Sequence, residues 1–177
     1  MKIAITGHTS GIGQALARQY EQRGHTIVGL SKRDGNDIRN IQRTADLIES
    51  CDMFVNNAQH NFAQTDLLFE VHRRWKDQQK EIIVISTMMT MSGPMNNAHI
   101  PYYTQKIALE HASLELAQTS LWPKITLVRP GEVHTGDHSG PLAFKDVDTY
   151  AETIINIIES APKGLRVYEF SLGVDYE

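Results

Sequence analysis

The sequence predicts an α/β fold: a doubly wound parallel sheet with helices on both faces, in three layers. Three observations predict it. Apolar runs of about four to six residues, the length of strands, recur along the chain. Segments with helical spacing alternate with them. Glycines and prolines fall between the runs, where loops belong, and no linker divides the chain. Alternating strands and helices of this kind make a parallel sheet covered on both sides.

Residues 2–6 read as a short buried strand, and Gly7 to Gly13 as a glycine-rich turn. A helix is expected over 12–23, ending at Gly24. Residues 26–31 form a second strand rich in β-branched side chains, followed by a polar segment with Asp34, Gly35 and Asn36. Ile41, Ala45 and Ile48 share one face of a helix over 40–49. Met53 to Val55 is a strand, 65–79 a helix, and Ile82 to Ile85 a strand. A long helix over 102–119, a strand from Ile125 to Val128, a helix over 146–160 and a strand from Arg166 to Leu172 complete the order.

The chain has 177 residues, which suits one domain spanning 1–177. At that size roughly 70% of the unfolded surface can be buried. A net charge of −4 offers no electrostatic reason for a nucleic-acid partner. No stretch approaches the ~20 apolar residues of a membrane span, so no membrane partner is expected. The start, Ile3-Ala4-Ile5, lacks the apolar core of a signal peptide. Cys51 is the single cysteine, which excludes an internal disulfide and fits a reducing, cytoplasmic compartment. It precedes an apolar run and reads as core filling.

In such a sheet the ligand site lies at the carboxyl ends of the strands. Thr6-Gly7-His8-Thr9-Ser10-Gly11-Ile12-Gly13 falls there, between the first strand and the first helix. Glycines permit the tight turn and a close approach of backbone to a pyrophosphate. The helix N-terminus offers N–H groups and partial positive charge to that anion. By itself such a turn also serves simply to join a strand to a helix.

The spacing, T-G-x-x-x-G-I-G, resembles the cofactor loop of the short-chain dehydrogenase/reductase family. Three further motifs resemble that family, in its order. They are Asn56-Asn57-Ala58-Gln59 (the family's N-N-A-G), Tyr102 and Lys106 (its Y-x-x-x-K), and Pro130-Gly131-Glu132-Val133-His134-Thr135 (its P-G-x-V-x-T). The resemblance implies a Rossmann-type domain and a nicotinamide-dependent oxidoreductase acting on a carbonyl or alcohol. It implies that Gly7, Thr9, Ser10, Gly11, Ile12 and Gly13 cradle the cofactor, with Asn57 and Ala58 beside them. It implies that Asp37 and Ile38 border the adenine, and that Lys106 binds the nicotinamide ribose. Pro130, Gly131, the Val133 backbone and Thr135 are implied at the nicotinamide amide.

Tyr102 and Lys106 stand four positions apart, on one face of a helix. Carbonyl reduction needs a hydride on carbon and a proton on oxygen. A free tyrosine, with a pKa of about 10, is a poor acid–base group at neutral pH, and a nearby ammonium lowers that value. Tyr103 is the other phenol in the motif, but its fourth follower is Ile107. The family places a serine after its fifth sheet strand. Here Val84-Ile85-Ser86-Thr87 aligns Thr87 with that position, and Ser86 points to the opposite face of a regular strand. A threonine hydroxyl can make the same hydrogen bond, and Ser86 is the reserve.

Several features depart from the family. Its catalytic asparagine is absent from the helix Thr65 to Gln79, and Asn61 lies upstream of it. Gln59 replaces the glycine of N-N-A-G. The chain is short for the family. Ser31 to Asp37 leaves no room for the helix between the family's second and third strands. The segment from Pro130 to Asp146 is too short for its helical substrate lid, so an open or minimal pocket is expected. Met88, Met89, Met91 and Met95 either line that pocket or pack as core.

An acid at the end of the second strand would select NAD(H). Ser31 occupies that position, and Lys32 and Arg33 follow, which suits the 2′-phosphate of NADP(H). An ordinary basic turn is the plainer reading, and Asp34 lies past the strand end. Among the eight histidines, His8, His60, His99, His134 and His138 fall near these loops and read as surface histidines, and no metal is expected. The charges from His72 to Asp77 read as a solvated helix face. Leu67, Leu68, Val71 and Trp75 on one helix, and Ile107, Leu109, Ala112, Leu114, Leu116 and Ala117 on another, suggest a homodimer or homotetramer. Two functions remain open: a carbonyl reductase or alcohol dehydrogenase, and a non-catalytic NADP-binding regulator or interaction module.

Overall fold

The computed structural model describes residues 1–135, 140 and 143–175. His138 lies outside them. Six strands form one sheet: β1 (Lys2–Thr6), β2 (Thr26–Leu30), β3 (Met53–Asn56), β4 (Glu81–Ile85), β5 (Lys124–Pro130) and β6 (Glu169–Leu172). Their order is β2-β1-β3-β4-β5-β6, and every pairing is parallel. The helices are α1 (Gly11–Gln22), α2 (Ile41–Ile48), α3 (Ala63–Arg74), α4 (Met89–Ser92), α5 (Ile100–Thr119) and α6 (Val147–Glu159).

Strand side chains alternate between two cores because successive residues of a strand face opposite sides. Ala4, Phe54, Ile82, Val84, Ile125 and Leu127 face one way, under Ala45 and Ile48 of α2, Leu67, Leu68 and Val71 of α3, and Leu109 of α5. Ile3, Ile5, Val55, Ile83, Ile85 and Val128 face the other way, under Leu16 and Tyr20 of α1 and Ile154 and Ile155 of α6. Each such Val, Leu, Ile or Phe side chain, fully buried, contributes about 1.5–3 kcal/mol relative to exposure. This is the three-layer arrangement that the sequence predicts. Cys51 is buried in the first core, and burial pushes its thiol up, as inert filling requires.

The chain runs outward from β1 to β2, then returns across β1 to β3. The connections diverge there, so the carboxyl ends of β1 and β3 bound a crevice. The Gly7–Gly13 turn and Asn57-Ala58 open onto it.

Some boundaries differ from expectation. The helix expected over 65–79 begins at Ala63 and ends at Arg74. Trp75 folds inward to full burial, and Asp77 takes a left-handed φ of 63° that no helix continues through. The last strand covers Glu169–Leu172 alone. Ahead of it, the Arg166 guanidinium stacks on Tyr168 and donates to the Ala117 carbonyl near the end of α5 (2.6 Å). Ser31 to Asp37 holds one 3-10 turn, Lys32–Asp34, before α2 crosses to β3. The described residues between β5 and α6 form no helix, and Val133 bridges Phe144 there.

Two readings of helix faces are corrected. Leu67, Leu68, Val71 and Trp75 are all buried in the chain's own core, so that stripe is not a surface. It packs on the sheet because α3 crosses over β3 and β4. Arg74 is not simply solvated either. It reaches Glu70, Asp46 and Glu49 at 2.6–3.2 Å and ties α3 to α2. No helix of the described residues is long and apolar enough to cross a membrane.

Candidate active site

The turn after β1 is built from glycines for identifiable reasons. Gly7 and Gly11 take φ values of 72° and 55°, where side chains are strained. A Cβ on Gly13 would lie 2.5 Å from the Gly7 carbonyl oxygen and from Asn57 Nδ2. The Thr6 hydroxyl accepts from the N–H groups of Asn57 (3.0 Å) and Ala58 (3.1 Å). Asn57 Nδ2 donates to the Thr6 carbonyl (3.0 Å). These bonds lock the loops after β1 and β3 into one rigid wall. Ser10 precedes α1, and its side chain makes no capping bond to the first-turn N–H groups. A cradle with no space for side chains, ending on a helix N-terminus, fits a pyrophosphate.

Beside it, a cleft of about 320 Å³ is lined by Gly7, Thr9, Ser31, Lys32, Arg33 and Asp37, with Ile38, Ala58 and Gln59. Ile38 is nearly buried, while Lys32 and Arg33 are exposed. Ser31 caps the 3-10 turn, and its hydroxyl donates to Asp34 Oδ2 (2.6 Å). Asp34 lies past the end of β2, as the sequence indicates, and its carboxylate is held against Ser31. His8 Nε2 lies 3.6 Å from the same carboxylate. The His8 ring lies against Gly29, where a Cβ would come within 2.4 Å of it. The Arg39 guanidinium on Asp37 holds that carboxyl at about 2, below the usual range.

A second cleft, of about 280 Å³, opens at the ends of β4 and β5. Thr87, Tyr102, Ile12, Pro130, Gly131 and Thr135 line it, together with Ser86, Glu132 and Val133. The structure thus gathers four sequence motifs around two adjoining clefts. Tyr102 is half-buried, and burial pushes its phenol above the ordinary value while the neighbouring Thr87 hydroxyl works against that. Lys106 is 3% exposed, with Nζ 5.7 Å from the centre of the Tyr102 ring. Burial pulls the Lys106 ammonium down to about 7, and Glu110 opposes this. Tyr102, Lys106 and Glu110 are spaced by four along α5, so they share one face.

Ser86 and Thr87 are separated by what holds them. The Ser86 hydroxyl is buried and donates to Glu110 Oε1. Arg129 of β5 closes on the other oxygen of that carboxylate (2.7 Å). Thr87 is more exposed and stands beside Tyr102. Gln59, in place of the family's glycine, donates to Gln105 of α5 (2.5 Å). Gly131 is clamped from behind: the Tyr150 hydroxyl accepts its N–H (2.9 Å) and donates to the Leu172 carbonyl. Met88 packs against Gly131, while Met91 and Met95 are 65% and 81% exposed, so core packing is excluded for that pair. Among the described residues no cluster of His, Cys, Asp and Glu could hold a metal ion.

Sequence reasoning missed Gln64, Glu110 and Tyr150. Glu110 carried a signal: it continues the four-residue spacing of Tyr102 and Lys106. Gln64 lay outside the expected helix start, and Tyr150 acts through a loop distant in sequence.

Comparison with known proteins places the fold. The model of the NAD dependent epimerase/dehydratase family matches residues 3–72. No curated protein sequence matches the chain. Several solved structures superpose along nearly its whole length. A short-chain dehydrogenase/reductase from Vibrio parahaemolyticus is 21% identical with a TM-score of 0.75, covering 98% of this chain and 100% of that one. A 3-alpha-hydroxysteroid dehydrogenase from a Pseudomonas species, complexed with NADH, is 18% identical with a TM-score of 0.70, covering 99% and 95%. A short chain dehydrogenase from Burkholderia cenocepacia, in complex with NADP, is 16% identical with a TM-score of 0.75, covering 98% and 88%. With its parallel sheet, glycine cradle and paired clefts, the chain has the Rossmann-type fold of the short-chain dehydrogenases/reductases.

Proposed function

We propose that the chain is an NADP-dependent oxidoreductase that transfers a hydride between nicotinamide and a carbonyl or alcohol. One observation carries the reading. Tyr102 and Thr87 line one cleft, with Lys106 Nζ against the Tyr102 ring, next to a glycine cradle that suits a dinucleotide. The cofactor supplies the hydride. The backbone of Gly7 to Gly13, with Thr9, Ser10 and Ile12, would hold its pyrophosphate, and Asn57 and Ala58 would wall that cradle. Ser31, Lys32 and Arg33 would take the 2′-phosphate, with Asp37 and Ile38 at the adenine. Lys106 would hold the ribose, and Pro130, Gly131, Val133 and Thr135 the nicotinamide end.

In the reducing direction the Thr87 hydroxyl orients the substrate carbonyl, and Tyr102 gives its proton to the oxygen as the carbon receives the hydride. The Lys106 ammonium offsets the charge left on the phenolate. The test is NADPH oxidation against a panel of ketones, aldehydes and quinones, alongside a binding titration. Turnover of any of them supports the reading. Tight binding without turnover favours the non-catalytic module, a reading encouraged by the inward hydrogen bonds of Lys106.

Preference for NADPH is the finer part of the proposal. Lys32→Ala and Arg33→Ala should each weaken NADPH binding about tenfold, the worth of one charge-assisted contact, and leave NADH binding unchanged. Equal affinities of the parent protein for the two cofactors would contradict NADP preference.

A homodimer or homotetramer belongs to the same proposal, on a narrower basis than the sequence suggested. The large apolar side chains exposed on α3 and α5 are Phe69, Ile100 and Ile107, at 48%, 45% and 39%. Light scattering at micromolar concentration checks it. Twice or four times the chain mass of 20.0 kDa is expected, and the single mass would refute it.

A further inference from the structure

We infer that Gln64 is the positioning residue of Lys106, holding its ammonium by direct contact from the start of α3. The inference rests on the catalytic reading of Lys106 given above. Gln64 is 2% exposed. Its Nε2 donates to the carbonyls of Asn56 (2.7 Å) and Ile85 (3.0 Å), at the ends of β3 and β4. Its Oε1 accepts from Lys106 Nζ (2.9 Å). Asn56 Nδ2 donates in turn to the Gln64 backbone carbonyl (2.9 Å).

The amide can face only one way. Turned over, its NH2 group would meet the ammonium and its oxygen would meet two carbonyls, so the buried amide would lose all three of these bonds. Two adjacent strands therefore orient Gln64, and Gln64 orients Lys106. Nζ also donates to the Ile85 carbonyl (3.0 Å), so two of its three N–H groups are held from the Gln64 side.

A neutral acceptor at this point has a consequence that a carboxylate would not. It fixes the ammonium without a tight ion pair, so the charge stays labile near neutrality. The titratable groups facing Lys106 are Tyr102 and Glu110 of its own helix. Arg129 of β5 is bound to Glu110, while α3, β3 and β4 present the neutral Gln64, Asn56 and Ile85 carbonyl.

The test reads Lys106 directly. Lysine side chains labelled with ¹³C at Cε are titrated by NMR in the full chain, with Lys106→Met identifying the signal. Gln64→Glu should raise the Lys106 pKa and Gln64→Leu should lower it, each by about one unit or more. In the carbonyl assay, the alkaline limb of kcat should move the same way. Gln64→Leu should cut kcat about tenfold to a hundredfold, the cost of a misplaced catalytic group, with little change in substrate KM. Where Gln64→Leu does not fold, Gln64→Glu decides. A folded variant whose Lys106 titrates as in the parent overturns the inference. If the parent turns over no substrate, the catalytic reading fails, and a shifted titration still upholds the contact while an unshifted one removes it.

Discussion

Tyr102→Phe is expected to abolish turnover while NADPH binding stays within about twofold of the parent. The phenol lines the cleft beside Thr87 and is the proposed proton donor. A positioned acid contributes about 10²- to 10⁴-fold to such a step. The ring itself remains in phenylalanine, so its face toward Lys106 survives. Binding then reports an intact cradle and turnover reports the proton. Single-turnover NADPH oxidation, paired with a fluorescence titration of NADPH, measures both. Near-parent turnover in the variant would move the acid elsewhere.

Lys106→Met is expected to remove turnover by a comparable about 10²- to 10⁴-fold, and also to change how stability depends on pH. The sign follows from burial. The folded chain holds Lys106 near 7, below its ordinary value of 10.5. Between those values the unfolded chain binds more protons, so the parent's stability from this group rises with pH. Below about 7 both states carry the charge, and the full cost of burying it is present. The methionine variant lacks that slope. The offset between the two proteins is less telling than the slope. Relief from a buried ion is worth about 1–4 kcal/mol. Stranding Gln64 Oε1 without its donor costs about 1–3 kcal/mol, which is comparable. Urea unfolding of parent and variant from pH 6 to 10 checks it: the difference should shift toward the parent as pH rises. A constant difference would show that Lys106 titrates at its ordinary value.

The sheet was legible because strands buried on both faces must be apolar throughout, and runs such as Ile82 to Ile85 have few other uses. The cradle was legible because Gly7, Gly11 and Gly13 sit where no other residue fits. Less was readable where tertiary contacts outweigh local pattern. The end of α3 is set by the burial of Trp75 and the turn at Asp77, which helical periodicity cannot register. Apolar stripes on α3 said that a face is buried, but not by what. The sheet claimed Leu67, Leu68 and Val71, leaving little of that stripe for a partner. The hydroxyl choice between Ser86 and Thr87 depended on Glu110, which is 24 residues from Ser86 and one helical turn beyond Lys106. Polar groups buried between elements, such as Gln64 and Arg74, look like surface residues in a sequence. Their partners belong to other strands and helices.

Deuteride transfer tests the central claim most directly. The protein is incubated with NADPH carrying deuterium at the hydride-donating carbon and with a carbonyl substrate from the panel. The product is then analysed by mass spectrometry. The account predicts one deuterium at the carbinol carbon with the parent protein, and none above background with Tyr102→Phe. Product free of deuterium, or no alcohol formed while NADPH saturates the cleft, would contradict it.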